Sequence, residues 1–276
     1  MSSHPRRTAG VLLASVTALL TAGIPAAAAA TPAPDPKPAP RTTEASKTPA
    51  PQPPVPDPHA TVAVLDLDAG ATTPVIQGED RAYDTASIVK VDILAALLLK
   101  AQDERRALTD EERDHAEPMI KRSDNDAADA LWKEIGQDPG LTAANQRIGL
   151  TSTTAGTSGR WGLTRTTASD QIRLLRAVFD DSARSPLTPD SRAYIRTLMG
   201  EVLPEQSWGV SAVNAAGTEL KNGWLQRTTT GLWDVNSIGE VTLGGHRCLV
   251  AVLSDGSASM SDGVSLVEQA ARTAVA

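Results

Sequence analysis

Cysteine is almost absent from the chain. The 276 residues contain a single one, Cys248, which lies in the apolar run HRCLVAVL. One cysteine cannot form a disulfide within the chain, and a thiol in an apolar segment is typical of a small core residue. We therefore predict no disulfide framework and no reactive thiol.

Histidine is also scarce, and acidic residues outnumber basic ones, 33 to 26. The four histidines are scattered and show no metal-ligand spacing: His4, His59, His115 and His246. We predict no zinc site and no cofactor. The formal net charge is −7, which argues against nucleic acid as a partner.

A long hydrophobic run is missing too. The N-terminal apolar segment, residues 9–24, is shorter than the roughly 20 residues that span a bilayer. It follows Arg6 and Arg7 and leads into a small-residue stretch, residues 26–30. This order predicts a cleavable export signal over residues 1–30 and a secreted or wall-associated protein without a stable membrane anchor. The arginine pair leaves the twin-arginine route open, and no cysteine marks a lipid attachment site.

Proline dominates the next segment. Eleven prolines lie within residues 31–59, where large apolar residues are lacking. Such a composition cannot bury enough surface to offset the entropy of ordering, so it predicts a disordered, extended linker.

Residues 60–276 have the pattern of one mixed α/β domain. Two candidate strands open it, TVAVLDL and PVIQG, and three candidate strands follow residue 209. Helical patterns fill the middle, with a continuous helix over residues 85–103, and a last helix covers residues 260–275. The pattern predicts that the terminal strands form one antiparallel sheet with helices on its faces.

Three short stretches carry the chemistry. They are Ser87-Ile-Val-Lys90, Ser123-Asp-Asn125 and Lys221-Asn222-Gly223. Alone, each also fits a solvated helix start, a helix cap or a turn. Positions three apart on a helix are neighbours, so Lys90 could reach Ser87 and act as its base. Burial and a second cation favour a neutral lysine.

In this order the three stretches resemble a known signature. S-x-x-K, S-D-N and K-T-G mark the active-site-serine penicillin-recognising superfamily, which includes the class A β-lactamases. The likeness runs from about Thr61 to the C-terminus and includes the flanking text DTASIVKVDIL, MIKRSDNDAADALW and LKNGW. It implies the β-lactamase/DD-peptidase-like fold, a five-stranded antiparallel sheet flanked by helices with a helical subdomain.

The resemblance also implies roles for the motif residues. Ser87 is the implied nucleophile and Lys90 its base, Ser123 relays a proton to the leaving nitrogen, and Lys221 attracts a substrate carboxylate. Implied substrate contacts come from Asn125, Asn222, Gly223 and Trp224, the last through a backbone N–H in an oxyanion hole with that of Ser87.

The chain departs from the family pattern in three places. Class A β-lactamases carry a loop glutamate that activates the deacylating water, whereas no acidic residue lies between Asp138 and Asp170 here. Asn222 replaces a hydroxyl residue, although an amide can still donate a hydrogen bond. The first two motifs are unusually close, which predicts a trimmed helical subdomain and a more open site.

Several functions therefore stay open. The leading interpretation is a monomeric serine hydrolase that forms an acyl-enzyme with β-lactams and deacylates slowly. A D-Ala-D-Ala carboxypeptidase or muropeptide hydrolase acting on peptidoglycan peptides fits the missing glutamate better. A non-catalytic penicillin- or cell-wall-binding protein, and an exported structural domain with chance motifs, are the remaining alternatives.

Overall fold

The computed structural model describes residues 59–182, 184–214 and 216–276. The predicted export signal and nearly all of the proline-rich linker lie outside the described residues. The first strand, β1 (His59–Asp66), begins one residue before the predicted start of the domain.

The centre of the fold is a five-stranded antiparallel sheet. Its strands are β1, β2 (Val75–Gln77), β5 (Glu219–Gln226), β6 (Trp233–Leu243) and β7 (His246–Ser257). They run in the order β2-β1-β7-β6-β5 across the sheet. The first and last segments of the domain therefore pair directly, which confirms the predicted sheet.

Seven α-helices surround this sheet within the described residues. They are α1 (Val89–Asp103), α2 (Asp110–Lys121), α3 (Asn125–Glu134), α4 (Gln137–Ile148), α5 (Ala168–Phe179), α6 (Pro189–Gly200) and α7 (Met260–Ala274). None of these helices is long and apolar enough to cross a membrane. Helices α2, α3 and α4 pack against α1 and form the helical subdomain.

Alternation along β7 divides the core into two layers. Val250 and Val252 face a smaller cluster that includes Val267 of α7. Leu249 and Leu253 point the other way, into a larger cluster built around α1 and α5. Successive strand residues point to opposite faces of a sheet, so one apolar strand fills both layers.

Two local predictions differ from the structure. The helix expected over residues 85–103 begins with a 3-10 turn, Ala86–Ile88, before α1 starts. The first of the strands expected after residue 209 begins only at Glu219, after a 3-10 turn, Gly209–Ala212. A small ribbon of β3 (Tyr83–Asp84) and β4 (Arg165–Thr166) was not predicted, because two residues are too short to show a period.

Candidate active site

The turn that carries Ser87 is fixed from two sides. Asn236 of β6 donates hydrogen bonds to the backbone oxygens of Asp84 (2.9 Å) and Thr85 (3.1 Å). Gly223 of β5 approaches so closely that a Cβ there would lie 2.6 Å from the Ser87 nitrogen. Only glycine allows this approach. It places the edge of β5 beside the backbone N–H of Ser87, and Ser87 itself is partly exposed.

Lys90 is the second residue of α1 and is fully buried. Its Nζ atom donates to the Ser123 backbone oxygen (2.6 Å) and to Asn125 Oδ1 (2.8 Å), and it lies 3.1 Å from Ser123 Oγ. Within the part of the chain that the structure describes, Ser87 Oγ makes no hydrogen bond with Lys90. The structure thus joins the first motif to the second mainly through Ser123 and Asn125.

Ser123 is held between two lysines. Its backbone adopts the left-handed conformation, with φ of 58°, which is uncommon for a residue other than glycine. Lys221 Nζ donates to Ser123 Oγ at 3.0 Å and to the Asn222 backbone oxygen at 2.9 Å. The neighbouring Asp124, rather than Ser123, caps α3 by accepting from the Ala127 backbone nitrogen. The Ser123 hydroxyl is therefore available to both lysines.

Burial changes the protonation of both lysines. It lowers the pKa of Lys90 to about 7, although the negative charges of Asp124 and Asp129 act in the opposite direction. Burial, and next the charge of Lys90, lowers the pKa of Lys221 well below its ordinary value. Because burial disfavours the charged form of an amine, a neutral Lys90 is accessible near pH 7.

The remaining motif residues differ in what they offer a substrate. Asn125 is exposed in the cleft, with its amide oxygen bound to Lys90. Asn222 is buried, and its amide nitrogen donates to the backbone oxygens of Gln206 (2.8 Å) and Trp208 (2.9 Å). Because both amide hydrogens are used there, the structure does not present Asn222 as a donor to the cleft, in contrast to the prediction that its amide contacts a carboxylate.

A cleft of about 440 Å³ opens in front of Ser87. Trp224 lines one side and stacks at a tilt on Trp208, with ring centroids 5.8 Å apart. The other lining side chains come from α3 and from the loop that precedes β4, including Asn125, Asp129 and Trp161. The cleft therefore brings together residues of the first two motifs, Trp224 directly after the third motif, and a loop without motif residues.

Sequence reasoning missed Asp129 and Trp161. Asp129 stands four residues after Asn125, which puts the two on the same face of α3. Its Oδ1 accepts a 2.7 Å hydrogen bond from the indole Nε1 of Trp161. The Lys90 Nζ atom lies 4.9 Å from the centre of the Trp161 ring. The helical spacing from Asn125 could have identified Asp129, but no sequence pattern indicates Trp161.

Comparison with known proteins identifies a family. The family model described as "Beta-lactamase enzyme family" matches residues 111–276, which include Ser123 and Lys221 and begin after Ser87 and Lys90. Two curated relatives, both named lipoprotein LppW, from Mycobacterium tuberculosis and Mycobacterium bovis, are each 31% identical over 171 residues. That alignment covers 59% of this chain and 53% of each relative, so the chain spans about half of their length.

Solved structures show the same fold. A class A beta-lactamase from Bacteroides cellulosilyticus has a TM-score of 0.65 at 18% identity, covering 78% of this chain and 90% of that one. PBP-A has a TM-score of 0.65 at 21% identity, covering 82% and 89%. The family match extends over more than half of the sequence, and on that basis the chain belongs to the beta-lactamase enzyme family.

Proposed function

We propose that the protein is an exported active-site-serine hydrolase that forms an acyl-enzyme on Ser87 with β-lactams and releases it slowly. The observation that carries the proposal is the buried chain Lys90–Ser123–Lys221 beside a partly exposed serine. Burying two lysines that have no carboxylate hydrogen-bonded to them within the described residues does not stabilise a fold. It suits a site that moves protons and receives an anion.

Acylation begins with removal of the Ser87 proton. A neutral Lys90 can donate to the Ser123 backbone oxygen and to Asn125 Oδ1, and still accept a proton through its lone pair. Ser123 Oγ lies 3.1 Å from Lys90 Nζ and 3.0 Å from Lys221 Nζ, so the hydroxyl can carry a proton onward from Lys90. Catalytic hydrogen bonds often tighten only once substrate is bound, so the missing Ser87–Lys90 contact does not exclude direct transfer.

The bond changes follow from these positions. Ser87 Oγ attacks the amide carbonyl carbon, its proton passes to Lys90, and a C–O bond forms. The C–N bond then breaks, and a proton reaches the leaving nitrogen through Ser123. The backbone N–H groups of Ser87 and Trp224 stabilise the oxyanion, assisted by the N-terminal end of α1.

Lys221 defines the substrate class. It is fully buried, and its hydrogen-bond partners within the described residues are neutral oxygens. A carboxylate beside it would offset much of the cost of burying an ammonium group. β-Lactams and peptides that end in D-alanine both supply such a carboxylate. Among the structural neighbours, a PBP-A mutant is an acyl-enzyme complex with penicillin G, which supports a β-lactam as the acyl donor.

One observation favours a second function. The loop before β4 carries no acidic side chain, and a D-Ala-D-Ala carboxypeptidase or muropeptide hydrolase needs none there. The second candidate is therefore hydrolysis of a peptidoglycan peptide by the same acyl transfer. Export is part of both proposals, supported by the N-terminal pattern and by relatives that are named lipoproteins.

The test measures substrate turnover and the intact mass of the protein in the same reaction. The purified chain is mixed with a chromogenic cephalosporin, a fluorescent penicillin or a peptide ending in D-Ala-D-Ala, and its intact mass is followed. We expect a persistent adduct of the penicillin that is lost in Ser87→Ala and kept in Ser265→Ala, a matched change on the exposed face of α7. Release of D-alanine without an adduct supports the second candidate. Neither adduct nor turnover would leave a non-catalytic binding protein.

A further inference from the structure

The loop before β4 is closed at its base. Thr154 and Arg165 form a backbone bridge with hydrogen bonds of 2.8 and 2.9 Å. Asp170 of α5 accepts from the Ser152 backbone nitrogen and from the Thr153 hydroxyl. A Cβ at Gly156 would lie 2.1 Å from the Arg160 backbone oxygen, so the chain turns tightly there. The loop thus holds its tip in one place.

The tip carries Trp161 against the catalytic lysine. The indole N–H donates to Asp129 Oδ1 at 2.7 Å, and the ring face lies 4.9 Å from Lys90 Nζ. Aromatic faces attract an ammonium at this distance. Lys90 is fully buried. Ser123 and Asn125 are bonded to its amine, and the indole ring covers another side of it.

We propose that Trp161, anchored by Asp129, determines the lifetime of the acyl-enzyme by covering Lys90 and excluding the water that would hydrolyse the ester. The inference rests on the proposed acyl transfer to Ser87 and adds the residue that sets how long the acyl group stays on Ser87. Trp161 thereby determines whether water can act as the acceptor of the acyl group. Asp129 is a positioning residue that acts through the indole.

Hydrolysis of the acyl-enzyme needs a base beside the attacking water. A water oxygen must attack the ester carbonyl while a base takes one of its protons; the C–O bond to Ser87 then breaks and Ser87 Oγ regains a proton. Lys90 is the base of the proposed acylation, and the loop offers no carboxylate. A bulky ring over that amine denies water the position from which its proton could be taken, and water exclusion is a recognised way to protect a reactive intermediate.

Variants of Asp129 distinguish two roles for this residue, anchor of the indole and base for hydrolysis. If it only anchors the indole, Asp129→Asn keeps an accepting oxygen and leaves the acyl-enzyme lifetime within about twofold, whereas Asp129→Ala shortens it. If Asp129 is itself the base for hydrolysis, Asp129→Asn lengthens the lifetime. That lengthening would overturn the proposal.

The experiment measures separately how accessible the Lys90 amine is and how long the acyl-enzyme lasts. Lys90 labelling by brief acetic anhydride treatment is compared with that of Lys100 by peptide mass spectrometry. The loss of a preformed fluorescent penicillin adduct is then followed with time. We expect Trp161→Ala to speed both by about tenfold, a part of the roughly 10²–10⁴-fold that a complete general base contributes, and Trp161→Phe to have a smaller effect. The matched control, Trp233→Ala on β6, should change neither, with folding checked by thermal melting.

The results distinguish failure of this inference from failure of the proposed function. Unchanged Lys90 labelling in Trp161→Ala overturns the proposal that Trp161 covers Lys90. Faster labelling with an unchanged adduct lifetime overturns the role of Trp161 in deacylation. Both failures leave the proposed function intact, because the adduct on Ser87 still forms. No adduct on the wild-type chain overturns the proposed function and this inference with it.

Discussion

The amine of Lys221 and the hydroxyl of Ser123, 98 positions apart in sequence, lie 3.0 Å apart. The same hydroxyl lies 3.1 Å from the amine of Lys90. One side chain therefore joins the two cations and can pass a proton between them. The chemical behaviour of the site follows from how this chain of three residues is protonated.

Replacing Lys90 tests its role as a base. Lys90→Ala should slow acylation of Ser87 by on the order of a hundredfold or more, the size expected for the loss of a general base. The rate of adduct formation with a fluorescent penicillin measures it. Lys100→Ala is the control, because Lys100 lies on the same helix but pairs with Glu134 at the surface. Equal acylation rates in Lys90→Ala and wild type would remove Lys90 from this role.

The pH dependence of acylation should report Lys90. Burial lowers its pKa to about 7, and only the neutral amine can accept a proton. The acylation rate should therefore be low at pH 5, rise through about pH 7 and level off above it. Uncovering the amine in Trp161→Ala weakens the burial that lowers this pKa, so the midpoint should move to higher pH. A midpoint that is the same in both proteins contradicts this account.

Gly223 should tolerate no side chain. A Cβ there would meet the backbone nitrogens of Ser87 at 2.6 Å and Ile88 at 2.8 Å. Gly223→Ala should displace the turn, cost roughly 1–3 kcal/mol of stability and reduce acylation on the order of a hundredfold as an oxyanion donor moves. Denaturant unfolding and adduct formation measure the two effects. Gly200→Ala is the control, since its nearest contact is a Glu219 side chain at 3.5 Å.

Asp92 should make the protein less stable as pH rises. It is fully buried in α1, and within the described residues neither carboxylate oxygen has a hydrogen-bond partner of good geometry, although Gln171 lies beside it. Burial, and then the charge of Asp170, raises its pKa to about 8. The folded protein keeps this proton up to about pH 8 while the unfolded chain releases it near 3.8. Stability is thus full below the lower value and is lost as pH rises towards the upper one.

The slope of that loss is on the order of 1.4 kcal/mol for each pH unit. Urea unfolding at several pH values between 4 and 8 measures it. Asp92→Asn should flatten the dependence because the amide does not titrate, whereas Asp103→Asn, at the exposed end of α1, should leave it unchanged. An identical pH slope in Asp92→Asn and wild type would show that Asp92 does not carry this linkage.

Much of the fold could be read from the sequence. Strong apolar patterns gave the terminal strands and α1, and Thr109 and Thr188 cap their helices as the cap rules predict. The ribbon of β3 and β4 and the 3-10 start of the Ser87 turn could not be predicted, because they are stabilised by pairing with distant segments. Ser123 and Asp124 are equally good caps by type, so only packing decided that Asp124 takes the role.

The sequence by itself determined the chemistry available: a serine three residues before a lysine, SDN, KNG, and a loop without an acidic residue. These are properties of residue type and local spacing, which a linear chain displays directly. Only the tertiary structure decided which of them meet. It turned Asn222 away from the cleft, placed Ser123 between Lys90 and Lys221, and set Trp161 over the buried amine. Contacts between residues far apart in sequence depend on how the sheet and helices pack, and no period or motif records that distance.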